Sequence, residues 1–124
     1  MTKGTLKVTV GEAHNLRDTD GILNKGDPYV KLILDKNNTQ TTKVIKGDLN
    51  PKFNETFSFN IDGQKHLEVE VWDEDPLRDD WIGKAEVHLS KVFSEGHVKE
   101  TIKLKHKLVL NAGDLVLELD FTSA

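Results

Sequence analysis

The sequence has no cysteine, no long apolar run, and no proline-rich or serine-rich linker. Without cysteine, disulfides cannot stabilise the fold, and the sequence carries no mark of its redox compartment. A transmembrane helix would need about 18 or more consecutive apolar residues, and the N-terminus lacks even the shorter run of a signal peptide. We therefore expect a cytoplasmic protein that meets membranes only peripherally.

The length of the chain indicates a single folded unit. A chain of 124 residues can bury a hydrophobic core without a disulfide or a structural metal. No internal repeat or low-complexity tract suggests a boundary. We expect one domain over residues 1–124 and a monomer.

Apolar and polar residues alternate along most of the chain, which is typical of half-buried β-strands. Strand-like segments fall at 6–10, 29–34, 41–45, 53–61, 67–71, 82–89, 102–104 and 115–121. The dipeptide Asp62-Gly63 predicts a hairpin turn between two of them, and residues 90–96 are expected to be helical or irregular. Eight short strands predict an all-β antiparallel sandwich whose connecting loops gather at its two ends.

The acidic residues are unevenly distributed. The chain has 21 acidic and 17 basic residues, for a net charge of −4. Segments 17–27 and 73–80, here called the first and second acidic loops, together hold eight acids and three bases. All of the acidic excess is therefore local, which argues against nucleic-acid binding and for a cation site.

Five aspartates lie where strands end and begin: Asp20, Asp27, Asp73, Asp75 and Asp80. If the two acidic loops meet at one end of a sandwich, their carboxylates repel one another unless water or a hard cation lies between them. Oxygen ligands on loops suit calcium, whereas magnesium prefers a strict octahedron and zinc prefers histidine or cysteine. For any single aspartate a turn-forming role is the commoner one, so the prediction rests on the set.

Four motifs in this order resemble those of the C2 domain family: DPYVKL at 27–32, NPKFNETFSF at 50–59, VWDED at 71–75 and DWIG at 80–83. The resemblance spans the whole chain and includes short proteins of plants and fungi with a single C2 domain. It implies an eight-stranded antiparallel Greek-key β-sandwich. Because the first strand leads directly into the first acidic loop, the order of elements resembles the permuted topology of phospholipase C delta.

The resemblance also implies a ligand set for two or three calcium ions. It places the family's aspartates on the same five positions, with backbone carbonyls of Thr19 and Glu74 completing the coordination shell. Each acidic loop differs by one residue from the commonest family spacing, so Asp18 is an alternative to Asp20, and Asp79 is an alternative to Asp80. Asp80 is favoured because it keeps the family's distance to Ile82-Gly83.

Apolar residues at the tips of the acidic loops suggest contact with lipid. Ile22 and Leu23 lie in the first loop, and Leu77 precedes Arg78 in the second. Apolar tips are costly in water, but beside a calcium site they can enter the lipid interface while Arg78 meets headgroup phosphate. The alternative is that Leu23 packs against its own loop. An anionic phospholipid membrane is the expected partner.

A second lipid site is implied by the resemblance alone. Tyr29, Lys31, Lys43 and Trp72 match positions at which some C2 domains bind phosphoinositide headgroups. Ile33 and Thr41 stand where two further lysines would be expected, so a solvated strand face is the alternative interpretation.

Catalysis has little support. The five histidines are scattered without metal-ligand spacing, and no serine lies in a nucleophile motif. The sequence therefore predicts a non-enzymatic module that binds anionic membranes in a calcium-dependent way. The rival prediction is a calcium-independent protein-interaction or scaffolding domain.

Overall fold

A computed structural model describes residues 1–19, 26–107 and 110–124. Its elements are β1 (Lys3–His14), β2 (Pro28–Asp35), β3 (Asn38–Thr41), β4 (Lys52–Asp62), β5 (His66–Asp73), β6 (Asp80–His88), α1 (Ser90–Glu95), β7 (His97–His106) and β8 (Leu110–Ser123). The all-β class, the eight strands and the short helix are confirmed. No helix among these residues is long and apolar enough to cross a membrane.

The strands pair in the order β3-β2-β5-β6-β7-β8-β1-β4, with antiparallel neighbours throughout. Between β6 and β7 the register contains one pair, Lys84 with Lys105, whereas the other neighbours share longer ladders. The sheet can therefore fold over at this junction into two four-stranded layers. The permuted form of the family topology stays a prediction.

The core lies between the layers because alternate residues of each strand point inward. In β1 the side chains of Leu6, Val8 and Val10 are fully buried. In β8 those of Leu115 and Leu117 are fully buried as well. Burial of both strands follows the alternation in the sequence, which is why the pattern predicted them.

The strand predicted at 41–45 was misplaced, since β3 occupies Asn38–Thr41. The next residue, Thr42, is buried, and its hydroxyl accepts a hydrogen bond from the Val30 N–H at 2.9 Å. The Val30 N–H therefore donates to a side-chain oxygen, whereas in a regular ladder it would donate to a backbone carbonyl of the neighbouring strand. The ladder ends at Thr41 although the chain continues beside β2, where the Ile45 N–H donates to the Pro28 carbonyl at 2.9 Å.

The hairpin predicted at Asp62-Gly63 was also wrong. Gly63 does turn the chain with a φ of +88°, but β4 pairs with β1 while β5 pairs with β2 and β6. The turn therefore carries the chain from one layer to the other. Two alternating strands joined by a glycine turn have the same sequence pattern whether they form a hairpin in one layer or cross between the two layers. Only the packing of the layers distinguishes these two connections.

The antiparallel register places both acidic loops at one end of the sandwich, here called the acidic end. Pro28 at the start of β2 lies opposite Asp73 at the end of β5, and Asp73 lies opposite Asp80 at the start of β6. The end of β7 is at this end too, because His106 contacts Arg17 and Trp81, and the start of β8 at Leu110 lies opposite His106. The other end, here called the opposite end, holds the start of β5 and the end of β6.

We expect the inward face of β8 to dominate stability. Leu117 is 0% exposed and Leu110 is 51% exposed, so the same leucine-to-alanine change can be compared on one strand. Leu117→Ala should lower the free energy of unfolding by about 2–5 kcal/mol through lost burial and a new cavity. Leu110→Ala should cost well under half as much. Urea unfolding measures both, and equal losses would contradict the assigned register.

Candidate functional site

A buried carboxylate, that of Asp73, lies at the centre of the acidic end. Asp73 is the last residue of β5 and is 0% exposed. Its Oδ1 accepts a hydrogen bond from the Asp27 N–H at 2.7 Å, and its Oδ2 accepts one from the Thr19 hydroxyl at 2.5 Å. A carboxylate offers about four acceptor positions, so these two bonds leave capacity for a further ligand.

The first acidic loop approaches Asp73 closely through its backbone. A Cβ added at Gly26 would lie 3.3 Å from Asp73 Cγ, so a side chain there would crowd the carboxylate. The Asp27 carbonyl accepts a hydrogen bond from the Glu74 N–H at 2.9 Å. Asp27 Oδ1 in turn accepts from the Gly47 N–H at 2.8 Å. These contacts hold Asp27 and Asp73 together, as the sequence predicted.

In the second acidic loop, both carboxylate oxygens of Asp79 are engaged in protein contacts. Oδ1 accepts from the Asp75 N–H at 3.1 Å, and Oδ2 accepts from the Tyr29 hydroxyl at 2.5 Å. Partial burial, then the hydrogen bond and negative charge of Asp79, raise the pKa of Tyr29 far above its ordinary value, so the hydroxyl remains a donor. Asp79 therefore fixes the loop against β2.

Asp75 and Asp80 are more open to a ligand. Asp75 Oδ1 accepts from the Leu77 N–H at 3.2 Å, a contact that turns the loop. Asp80 is exposed, and its carboxylate has no hydrogen-bond partner among the residues the structure describes. The contrast with Asp79 supports Asp80 as the ligand of the pair, which stays a prediction.

Among the residues that the structure describes, these carboxylates of the acidic end form no ion pairs. Within residues 1–19, 26–107 and 110–124, no ion pair includes Asp27, Asp73, Asp75, Asp79 or Asp80. A buried carboxylate without a counter-charge is unfavourable. The donor set is oxygen only, and its chemistry therefore fits a hard cation such as calcium.

The described carboxylates are nevertheless more widely spaced than a preformed cage around one ion. No three of them have oxygens that all lie within 4.8 Å of one another in the described ranges. Ligands on opposite sides of one calcium ion are about 5 Å apart, given bonds of about 2.3–2.6 Å. Asp20, Ile22 and Leu23, which the sequence assigned to ligand and tip roles, lie outside the described residues.

An arginine that the sequence pattern did not single out connects the first acidic loop to β6, just after the second acidic loop ends. Arg17 Nε donates to the Ile82 carbonyl at 3.1 Å, and Nη2 donates to the Trp81 carbonyl at 2.6 Å and to His106 Nδ1 at 3.2 Å. The His106 ring also lies 4.7 Å from that of Trp81. The Arg17 guanidinium thus binds backbone carbonyls at the start of β6, and a lone arginine gives no sequence signal for such a role.

The tip of the second acidic loop is strongly exposed. Leu77 is 96% exposed, and Arg78 beside it is exposed as well. Leu110, 51% exposed, is a second exposed leucine at the acidic end. In the sequence it ends an apolar run, LVL at 108–110, to which no lipid contact was assigned. Solvent-exposed leucines at two connections of one end form a candidate lipid-contacting surface.

The residues of the implied phosphoinositide site are only partly brought together. Tyr29 lies opposite Trp72 in the sheet, and Lys31 lies opposite Glu70. A groove of about 350 Å³ is lined by Tyr29 and Lys31 but also by the acids Glu74 and Asp79. Lys43 does not line this groove. Its backbone N–H donates a hydrogen bond to the Glu55 carboxylate at 2.7 Å. The acids oppose an anionic headgroup, so this site stays a prediction.

The sequence model of the C2 domain family matches residues 4–104. Synaptotagmin-4 of Arabidopsis thaliana is 34% identical over 98% of this chain, which spans 21% of that protein. Among solved structures, a calcium-bound pair of C2 domains from extended synaptotagmin 2 matches with a TM-score of 0.86 and 32% identity, over 99% of this chain and 47% of that one.

A single C2 domain of a plant extended synaptotagmin 1 matches with a TM-score of 0.85 and 29% identity, over 100% of this chain and 98% of that one. The family match covers most of the chain, and the fold agrees with it. The chain belongs to the C2 domain family and is related to the synaptotagmins and extended synaptotagmins.

We expect the contact between Arg17 and His106 to be visible in the titration of the histidine. Partial burial first, and then the Arg17 charge, hold the pKa of His106 below its ordinary value. Arg17→Ala should therefore raise that pKa part of the way back, as followed by NMR of the ring protons. The matched control is His97, whose pKa is raised by its hydrogen bond to Asp120 and should not change. An unaltered His106 titration would contradict the contact.

Proposed function

We propose that this C2 domain binds calcium in its two acidic loops and, with calcium, binds anionic phospholipid membranes. The observation that carries the proposal is Asp73, a fully buried carboxylate that accepts two hydrogen bonds and has no cationic partner in the described ranges. Burial without a counter-charge is unfavourable, so the site is suited to a positive ligand. The loops supply only oxygen ligands, which calcium prefers.

In the proposed site, Asp27 and Asp73 hold the centre, and Asp75 and Asp80 contribute from the second acidic loop. Asp20, with the Thr19 and Glu74 carbonyls, completes the set inferred from the family, with Asp18 as the alternative to Asp20. Two or three calcium ions would supply positive charge and open coordination positions for lipid phosphate. The contacts of Thr19 and Asp27 with Asp73, and of Asp27 with Glu74, hold the two loops close enough to share these ligands.

The membrane contact in this proposal combines charge with apolar insertion. Without calcium, the local acidic excess repels an anionic surface. Leu77 extends from the tip of the second loop, where Arg78 can meet a phosphate, and Ile22 and Leu23 are the corresponding residues of the first loop. Leu110 adds apolar surface at the same end. If such side chains insert, raising the salt concentration should weaken membrane binding without removing it.

The comparisons support this proposal. The structure of extended synaptotagmin 2 that matches this chain is a calcium-bound one, at 32% identity. The curated relative is much longer than this chain, which spans 21% of synaptotagmin-4. We propose only the module's own role: a non-catalytic, monomeric domain that is cytoplasmic and associates with membranes peripherally. An activity of any larger protein would be contributed by other domains.

A calcium-independent protein-interaction or scaffolding domain is the second candidate. It is favoured by the wide spacing of the described carboxylates, no three of which have oxygens within 4.8 Å of one another among the described residues. In the main proposal the loops close around the ion, or Asp20 completes the cage. The two candidates differ in whether calcium binds in the absence of lipid.

We expect calorimetry without lipid to show calcium binding with a dissociation constant of about 10⁻⁶ to 10⁻³ M, with magnesium a poor substitute. Asp73→Asn should weaken it about tenfold or more, because affinity depends on the number of charged ligands. Asp62→Asn, an equal charge change on an exposed residue at the opposite end, is the control. Absence of heat or of amide shifts at millimolar calcium would favour the second candidate.

Vesicle sedimentation tests the membrane step. Vesicles with anionic lipid should bind the protein with calcium and release it with chelator. Leu77→Ser and Leu110→Ser together should reduce vesicle binding and leave lipid-free calcium affinity nearly unchanged, because neither substitution alters charge. Asn37→Ser, an exposed change at the opposite end, is the control. Equal vesicle binding in chelator would contradict the calcium dependence. Unchanged vesicle binding by the double variant would contradict tip insertion.

A further inference from the structure

A second group of metal-ligating side chains lies at the opposite end of the sandwich. His66 begins β5, and Glu86 and His88 lie near the end of β6. One ligand atom from each of the three lies within 4.8 Å of the others, the one such group of histidine and acidic residues in the described part of the chain. The spacing of the histidines along the chain gave no sign of this group, because His66 and His88 become neighbours only in the folded sheet.

The sheet geometry explains why these residues meet. His66 lies directly opposite His88 in the β5–β6 ladder. Directly opposed residues have Cβ atoms about 4.5–5.5 Å apart. Glu86 is two residues before His88 and therefore on the same face of β6. His66 Nε2 is 3.8 Å from Glu86 Oε1, and the two imidazole rings are 4.7 Å apart at 75°.

The surroundings leave these three side chains available. All three are exposed, and both histidines line a cavity of about 560 Å³ that also includes Gln64, Lys65 and Phe93. The neighbouring acid Glu68 pairs with Lys84 at 3.7 Å, so Glu86 is the carboxylate left to share with the histidines. Lys65 and Met1, which carries the N-terminal amino group, also line the cavity, and the flexible exposed side chain of Lys65 can turn away.

The donor set selects a different class of ion from the acidic end. Two imidazole nitrogens and one carboxylate oxygen are ligands of zinc and of other late first-row divalent metals, whereas calcium takes oxygen ligands. Tetrahedral zinc with bonds of about 2.0–2.1 Å needs ligand atoms about 3.3 Å apart. Small rotations of three exposed side chains would close that gap, and a solvent water would be the fourth ligand.

We propose that His66, Glu86 and His88 form a zinc-binding site that links the ends of β5 and β6. The site lies at the far end of both strands from Asp73 and Asp80, and it does not depend on the calcium proposal. A bound ion would connect the strands where the chain leaves β6 for α1. Because these side chains are exposed, their substitution should leave the core and the fold intact.

The test is a zinc chloride titration of the whole chain in millimolar calcium, followed by NMR of the histidine rings and by calorimetry. We expect one zinc per chain, with shifts confined to the rings of His66 and His88. Changes to groups that merely support a metal ligand alter affinity by about 10–100-fold. His66→Ala, His88→Ala and Glu86→Gln should therefore each weaken binding by at least about tenfold. His14→Ala, at another His–Glu pair 3.3 Å apart, is the matched control and should bind zinc unchanged.

Cupric chloride provides a second readout, because its electron paramagnetic resonance spectrum reports directly bound nitrogens. Two imidazole nitrogens are expected in the wild type and one in His88→Ala. Zinc binding that calcium displaces would place the ion in the acidic loops and overturn the proposal. So would zinc binding that survives the joint replacement of His66 and His88, or no binding at high micromolar zinc.

Discussion

The arrangement of the acidic end depends on the burial of the Asp73 carboxylate. A charge removed from water is unfavourable unless hydrogen bonds and a counter-charge compensate it. The protein supplies the hydrogen bonds, from the Asp27 N–H and the Thr19 hydroxyl, and no cationic side chain among the described residues. The first acidic loop reaches this carboxylate because Gly26 has no side chain to obstruct it. What the Asp73 carboxylate lacks, among the described residues, is a positively charged partner.

The remaining contacts position the loops without neutralising them. Arg17 could have paired with a carboxylate, but its guanidinium binds the carbonyls of Trp81 and Ile82. Tyr29 holds Asp79 through a neutral hydroxyl whose raised pKa keeps it protonated. The described parts of both loops are therefore held against the sandwich by contacts that leave the carboxylates of Asp73 and Asp79 without a cationic partner. At the opposite end of the sandwich, the same β5–β6 ladder brings the imidazoles of His66 and His88 close to the Glu86 carboxylate.

Features with a local pattern could be predicted from the sequence, and features set by packing between layers could not. Alternation predicted β1 and β8, and clustering predicted that Asp27 and Asp73 meet. The limits of β3 depend on the Thr42 hydroxyl, and the connection after Asp62 depends on which layer β5 joins. Arg17 and Trp81 are 64 positions apart, so no spacing rule relates them. His66 and His88 become neighbours only through the exact register of β5 and β6, which the sequence pattern leaves open.

The most direct test of the counter-charge account is the effect of calcium on thermal unfolding of the wild type and of Asp73→Asn. A ligand that binds only the folded state raises the melting temperature in proportion to the logarithm of its excess over the dissociation constant. The account predicts a rise with calcium in the wild type, its reversal by chelator, and a smaller rise in Asp73→Asn at the same calcium concentration. A wild-type melting temperature that does not respond to millimolar calcium, or an equal rise in Asp73→Asn, would contradict it.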